Sequence, residues 1–321
     1  MIEINELTKY YGERKAVGPL SFTIGKGEVV GLLGLNGAGK TTTLRMLSSD
    51  LLPTSGGIVV DGQNLVEEPE RVRPKIGYLP DRPPLYGEMS VREYLAFAGR
   101  LRGMSGPLDR RVKEVIEATD LGEYADERID TLSHGYRQRV GIAQAIVHRP
   151  ALLLLDEPIS GLDPVQIVEM RELVRSLRGE HTTVLSSHIL SEISETCDRL
   201  LVIRDGEIVA SGSESELSAH MAAAKSFSVT VRVAPDSYRG TPFEGVREVV
   251  QAIDGLVGVE EQDAPLGDES AVTVAIRAGG DIREETVKRL VDAGYGVLGL
   301  RRTGKDLERV FLELTGKGGD A

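Results

Sequence analysis

The residues best suited to chemistry lie in one short run, Gly34-Leu35-Asn36-Gly37-Ala38-Gly39-Lys40-Thr41, followed by Thr42. Glycines at these spacings let the backbone curl around a phosphate chain with its N–H groups pointing inward. Lys40 adds a compact positive charge for β- and γ-phosphates, and the Thr41 hydroxyl can ligate Mg²⁺. Such a loop needs a strand to deliver it and a helix to leave it. Val29-Val30-Gly31-Leu32-Leu33 reads as a buried strand, and Thr42 to Leu47 continue at helical spacing. That order argues against a glycine-rich turn without a ligand.

Two acids form a second constellation. Leu152-Leu153-Leu154-Leu155 reads as a strand buried on both faces, as in a parallel sheet, and it ends at Asp156-Glu157-Pro158. Open α/β sheets bind ligands outside the carboxyl ends of their strands. There Asp156 can hold Mg²⁺ through water, and Glu157 can orient or deprotonate an attacking water. An exposed acidic turn is the competing reading. Val184-Leu185-Ser186-Ser187-His188 is a further strand, whose end delivers His188 to the same crevice and toward a γ-phosphate. A lone histidine is more often a surface or core residue, and only its place at a strand end singles this one out.

The third constellation is Leu132-Ser133-His134-Gly135-Tyr136-Arg137-Gln138-Arg139-Val140. Ser133 and Gly135 precede an apolar run at helical spacing, Val140, Ile142, Ala143 and Ile146, and so mark a helix N-terminus with free N–H groups. A second phosphate-binding helix in one chain suggests that two copies each supply half of a nucleotide site.

The elements that must position these groups belong to a chain of 321 residues, 40% hydrophobic and 27% charged, which suits two soluble domains. Its net charge of −12 argues against broad nucleic-acid binding, which relies on Lys and Arg. Cys197, the single cysteine, cannot form an internal disulfide and reads as a small buried hydrophobe in a helix. Met1-Ile2-Glu3-Ile4 shows no basic segment followed by an apolar one, and no run approaches the roughly 18 apolar residues that span a bilayer. Any membrane role is therefore expected to come through a partner.

In this order the blocks resemble the ATP-binding subunit of an ABC transporter, over residues 2 to about 217. Gly34 to Thr41 resembles its Walker A loop, Leu132 to Gln138 its signature motif and Leu152 to Glu157 its Walker B strand. Ser160 to Asp163 resembles the D-loop, and His188 the switch histidine. Tyr11, before Gly12 in an opening hairpin, matches the aromatic on which adenine stacks, with ordinary strand packing as its competing role. The resemblance implies an α/β P-loop NTPase fold, ATP and Mg²⁺ as ligands, and ATP hydrolysis. It implies nucleotide binding by Tyr11, Gly34, Leu35, Asn36, Gly37, Ala38, Gly39, Lys40, Thr41, Thr42, Ser133 and Gly135, and catalysis by Lys40, Glu157 and His188. It also implies a transmembrane permease partner and a second ATPase subunit, as a homodimer or a close heterodimer. The chain would then sit at the cytoplasmic face of the inner or plasma membrane.

Two departures from the family pattern carry information. Ile76-Gly77-Tyr78-Leu79-Pro80-Asp81 matches the segment leading into the Q-loop, but Asp81 stands where glutamine is usual. A neutral amide donates and accepts, whereas an ionised carboxylate only accepts. Asp81 is therefore expected to join Thr41 and Asp156 around the metal, or to raise the pKa of a neighbour. His134 and Tyr136 stand where Gly and Gln are common, while Ser133 and Gly135 remain. Together these variants look most like the ABC-2 type exporter ATPases, including those associated with gliding motility. A soluble ABC ATPase of translation or DNA repair is a competing reading, but that class usually fuses two ATPase units or carries coiled-coil or zinc insertions. Here there is one unit, with no heptad run and no Cys pair. The same blocks would also suit an importer ATPase or a non-hydrolysing nucleotide sensor.

The ATP-binding domain is expected over residues 1–220, with a helical subdomain at about 82–145. Within that subdomain Pro83-Pro84 is a break and Ser90 to Glu93 a capping box. Tyr94, Leu95, Phe97 and Leu101, then Val112, Val115, Ile116 and Leu121, give two apolar faces, and Arg82 to Tyr86 are the expected contact with the membrane partner. A hairpin turning at Asp205-Gly206 and an Ala-rich segment near Met221 lead to residues 226–321, which read β-α-β-β-α-β, a ferredoxin-like α+β accessory domain. There Asp281 to Glu284 are expected to cap a helix, and Asp306 to Leu314 to form a terminal one. No second active site is apparent in that stretch.

Overall fold

Four consecutive leucines leave no face for water, so they belong inside a sheet covered on both sides. In the computed structural model, which describes residues 1–221, 225–232, 241–262 and 271–302, all four are buried. The chain forms two units, one spanning Met1–Glu214 and the other beginning at Ser215. The first opens with β1 (Ile2–Tyr11), β2 (Arg14–Ile24), β3 (Val29–Leu33), α1 (Lys40–Leu47), β4 (Ser55–Val60), β5 (Gln63–Asn64), α2 (Pro69–Val72) and β6 (Ile76–Leu79). There follow α3 (Val91–Leu101), α4 (Leu108–Ala118), α5 (His134–Ile146), β7 (Leu152–Leu155) and α6 (Pro164–Ser176). Then come β8 (Thr182–Ser187), α7 (Leu190–Ile193), β9 (Arg199–Arg204) and β10 (Glu207–Gly212).

A six-stranded sheet runs in the order β10-β9-β3-β8-β7-β6, and every pairing is parallel except β10 with β9. Every residue of β3, β7 and β8 is buried. Because these strands are parallel, their carboxyl ends face one edge, and the segments after them open toward a common crevice. A second, antiparallel sheet in the order β2-β1-β4-β5 shares a core with the first through Ile4, Leu20, Ile58, Val30, Leu32 and Leu154, with Leu44 and Leu47 of α1 included. Tyr11 ends β1 opposite Arg14 of β2. The Asp156 N–H donates to the Leu79 carbonyl at 2.9 Å, which ties the end of β6 to the end of β7.

Of the three helices between β6 and β7, α3 and α5 start at serine caps, Ser90 and Ser133. Ser90 and Glu93 form a reciprocal capping box at α3, which buries Val91, Tyr94 and Leu95. Val112, Val115 and Ile116 are buried on α4, while Leu121 falls beyond its end. No helix among the described residues is long and apolar enough to cross a membrane.

The second unit carries α8 (Glu214–Met221), β11 (Lys225–Arg232), α9 (Pro242–Gln251), β12 (Leu256–Gln262), β13 (Ala271–Ala278), α10 (Arg283–Asp292) and β14 (Gly296–Arg302). Its antiparallel sheet, in the order β12-β13-β11-β14, has the β-α-β-β-α-β connectivity of a ferredoxin-like domain. Phe227, Val229, Val231, Val246, Val274 and Leu290 are among the residues that fill its core. The seam between the units falls at the start of α8, upstream of the Ala-rich segment.

Two local expectations are corrected. The N-cap of α10 is Ile282, with no side-chain cap; the Asp281 carboxylate pairs with Arg283 at 2.6 Å and accepts only a long 3.4 Å bond from its N–H. Cys197 is not helical but lies in the turn between α7 and β9, where burial pushes its thiol pKa up. The expected helix at Asp306 to Leu314 lies outside the described residues.

Gly77 of β6 lies directly under α5: a Cβ there would sit 2.2 Å from the Ala145 carbonyl oxygen. Overpacking of this kind costs about 1–3 kcal/mol, so Gly77→Ala is expected to lower the urea midpoint by at least that equivalent. Gly57→Ala, whose added Cβ meets nothing within 4 Å, is expected to leave the midpoint near wild type.

Candidate functional site

The loop after β3 is built for an anion. Gly39 is the N-cap of α1, and no side chain accepts from the first turn, so those N–H groups remain available to a ligand. Gly37 and Gly39 hold φ values of +85° and +109°, a region that favours glycine. Gly39 is required on space as well, since a Cβ would lie 2.8 Å from Val17 Cγ2. The Gly34 N–H donates to the Ser187 carbonyl at 3.3 Å, which fixes the start of the loop to the end of β8. Lys40 is 6% exposed. Its ammonium donates to the carbonyls of Gly34 at 2.7 Å and Leu35 at 3.4 Å, and lies 3.3 Å from Glu157 Oε1. The loop thus folds over its own lysine.

At the end of β7, Asp156 is 0% exposed. Its Oδ1 accepts from the Ser186 hydroxyl at 2.7 Å and the Thr41 hydroxyl at 3.3 Å, while Oδ2 is buried with no protein partner. Burial pushes the Asp156 carboxyl above its usual range; the hydrogen bonds from Ser186 and Thr41 oppose the rise, and the charges of Glu157 and Asp81 add to it. A buried carboxylate oxygen without a partner is costly. Beside a threonine hydroxyl and a phosphate cradle, it fits a hard cation such as Mg²⁺. Among the described residues no group of three or more His, Cys, Asp or Glu side chains could hold a metal ion, so phosphate oxygens or water would complete such a shell.

Glu157 gathers the remaining groups. Its backbone is left-handed, with φ +49°, a conformation that costs a non-glycine residue on the order of 1 kcal/mol. The Ser186 hydroxyl accepts its N–H at 2.9 Å, and its Oε2 accepts from His188 Nδ1–H at 2.9 Å. Thus Lys40 from the β3 end and His188 from the β8 end both meet the carboxylate of Glu157 from the β7 end.

These groups face a cleft of about 830 Å³. Of the residues expected from sequence, Tyr11, Asn36, Gly37, Gly39, Lys40, Thr41, Thr42, Asp81, Glu157 and His188 line it. Gly34, Leu35 and Ala38 form the back of the loop, and Asp156 lies buried and reaches it through Thr41. Tyr11 is 50% exposed, which leaves ring surface free for a stacked ligand. Ser133 and Gly135 stand apart. Ser133 caps α5, and Gly135 lines a separate hollow of about 230 Å³ with Tyr136, Arg139, Asp163, Gln166 and Glu169.

Sequence reasoning missed Arg14, Lys15, Ala16 and Asp205 as lining residues, and Ser186 as the group that binds both acids, while Ser160 entered only as part of the D-loop. For Ser186 a signal existed, because a serine pair inside a wholly buried strand needs partners. The other four come together only through tertiary structure.

Comparison with known proteins agrees with this geometry. Residues 17–160 match the family model described as "ABC transporter". The chain is 33% identical to the linearmycin resistance ATP-binding protein LnrL of Bacillus subtilis (strain 168), over 99% of both chains. It is 39% identical to the bacitracin transport ATP-binding protein BcrA of Bacillus licheniformis, over 65% of this chain and 68% of that one. Among solved structures, the ATP-binding cassette MJ0796 in a dimeric post-hydrolysis state with ADP and Pi matches with a TM-score of 0.60 and 26% identity, covering 66% of this chain and 98% of that one.

Ser186→Ala removes one hydroxyl from two buried partners, the Asp156 carboxylate and the Glu157 N–H. Leaving such groups unsatisfied costs about 1–3 kcal/mol. The variant is expected to show a correspondingly lower thermal midpoint, and an unchanged midpoint would mean that the bridge contributes nothing.

Proposed function

The chain belongs to the ABC transporter family of ATP-binding subunits, and from that premise we propose that it drives an ABC-2 type exporter through a separate transmembrane permease. It is an ATPase, and ABC ATPases dimerise and work with permease subunits. The observation that carries the catalytic reading is the meeting of Lys40 and His188 on the carboxylate of Glu157 at the mouth of the phosphate loop. In this reading Tyr11 stacks the adenine, and the N–H groups from Gly34 to Thr42 hold the phosphates with the Lys40 ammonium. Glu157 orients the attacking water and takes its proton, while His188 fixes the carboxylate and faces the γ-phosphate. The bond between the γ-phosphorus and the β,γ-bridging oxygen breaks, releasing ADP and phosphate. Thr41 and Asp156, with Asp81 nearby, would hold Mg²⁺, which when bound offsets negative charge on the phosphates.

Ser133 and Gly135 lie outside the cleft their own chain forms, which favours their serving the nucleotide of a second subunit, identical or closely related. The residues 1–220 act as the ATP-binding domain, with the helical part at about 82–145 toward the permease, and 226–321 as an accessory domain. Export is supported by Asp81 and the His134-Gly135-Tyr136 signature, and by relatives named for linearmycin resistance and bacitracin transport. The gliding-motility likeness belongs to the same exporter branch. Held by its permease, the chain works at the cytoplasmic face of the inner or plasma membrane.

Glu157→Gln keeps the size of the side chain and removes the base. Turnover of purified protein is expected to fall by about 10²–10⁴, while ATP binding persists and the ATP-bound dimer accumulates on size exclusion; unchanged phosphate release would remove Glu157 from this role. Asp81→Gln is expected to shift the Mg²⁺ concentration that gives half-maximal ATPase activity. An identical Mg²⁺ titration would take Asp81 out of the metal set.

A further inference from the structure

His134 does something that the glycine common at this position in the family cannot. From the first turn of α5 its Nε2–H donates to the Ser160 carbonyl at 3.1 Å. The Ser160 N–H in turn donates to the Glu157 carbonyl at 3.1 Å, so two hydrogen bonds separate the signature turn from the backbone of the proposed base. Ser160 also lines the nucleotide cleft. The turn that presents its carbonyl contains Gly161 at φ +75°, where a Cβ would lie 3.4 Å from His134 Nε2. The far end of this turn is fixed as well, because the Asp163 carboxylate caps α6 by accepting from the N–H groups of Val165 and Gln166 at 3.0 and 2.9 Å.

Two further contacts dock α5 on α6. A Cβ on Gly135 would lie 3.0 Å from the Gln166 side chain, so the two helices approach closely there. Deeper in, Arg139 Nη2 pairs with Glu169 Oε2 at 2.8 Å. These contacts hold helix against helix. Only the His134 bond reaches the segment that leads back to Glu157, whose left-handed backbone must be kept in place by its surroundings.

We propose that His134 is a positioning residue that couples a phosphate seated at Ser133 and Gly135 to the setting of Glu157 in the same chain's cleft. The inference rests on the reading that Ser133 and Gly135 complete the site of a second subunit. A phosphate drawn to the N-terminus of α5 fixes the turn that carries His134. The Ser160 carbonyl is then held, and Glu157 is held in the geometry that meets Lys40 and His188. Each site thereby senses whether the other is filled, a coupling free energy between two distinct sites. With glycine at 134 the same chain would lose this connection while keeping its phosphate-binding turn.

The test is the ATP dependence of hydrolysis by the purified full chain, as wild type, His134→Ala and His134→Gln. Wild type is expected to show a Hill coefficient approaching about two, the number of sites. His134→Ala is expected to lower both that coefficient, toward one, and kcat, with an unchanged thermal midpoint and with a fluorescent ATP analogue still bound. His134→Gln, whose amide can donate to the Ser160 carbonyl, is expected to restore cooperativity. A non-cooperative wild type, a cooperative alanine variant, or a glutamine variant no better than alanine would each overturn the coupling and leave the ATPase reading standing. A wild type without hydrolysis would overturn both.

Discussion

The carboxylate of Asp156 is the group around which the rest of the ATP site is arranged. Placing a charge at the end of a fully buried strand is unfavourable unless its oxygens find partners. Oδ1 has two hydroxyls, and Oδ2 has none. Each hydroxyl comes from a different part of the fold, Ser186 from β8 and Thr41 from the phosphate loop at the head of α1. Satisfying the half of the carboxylate that is satisfied therefore requires β8 beside β7 and the loop close to both. The strand order β3-β8-β7 meets that demand, and it carries Lys40, Glu157 and His188 to one crevice at the same time. The unsatisfied oxygen is left for a group from outside the protein, such as a cation.

The main-chain features of this site are legible in the sequence because they are local. A glycine pattern followed by Lys-Thr, a leucine run ending in acids, and Ser-x-Gly before an apolar helix each encode their own conformation over fewer than about fifteen residues. Ser90 and Glu93 likewise form the reciprocal cap that their spacing implies. What the pattern does not supply is adjacency across the fold. Arg14, Lys15 and Asp205 reach the cleft only because the β1–β2 hairpin and the β9–β10 turn approach the phosphate loop, where the Gly206 N–H donates to the Ala38 carbonyl at 3.0 Å. At Asp281 the local pattern misleads, since Arg283 competes for the carboxylate that would otherwise cap α10. At Cys197 burial does not require a helix, because the thiol fills a turn against β3.

Packing on both sides of the site explains why glycine appears where no ligand touches it. Gly31 in β3 and Gly77 in β6 each face a helix that a methyl group would strike, at Ile193 Cδ1 of α7 at 2.9 Å and at the Ala145 carbonyl oxygen of α5 at 2.2 Å. Their absence of side chains lets helices lie close on the sheet, and close packing keeps the strand ends in register. The glycines of the phosphate loop answer a different requirement, left-handed backbone and room for an anion. One residue type thus does two physically distinct jobs a few residues apart.

The two acids nearest the buried carboxylate are not equivalent to it. Asp81 is exposed in the cleft, where water screens its charge, whereas Asp156 is sealed beneath the loop. The charge of Asp81 still adds to the rise in the Asp156 pKa, but burial is the larger cause. A carboxylate in place of a neutral amide at position 81 is tolerated for that reason: its cost falls mainly on solvent and not on the protein interior. In the proposed reading the same exposure lets Asp81 meet an arriving cation, and its contribution to metal binding is expected to weaken with ionic strength more than that of Asp156. On that proposal, exchanging the residue at position 81 alters the metal response of the site without disturbing the strand order that builds it.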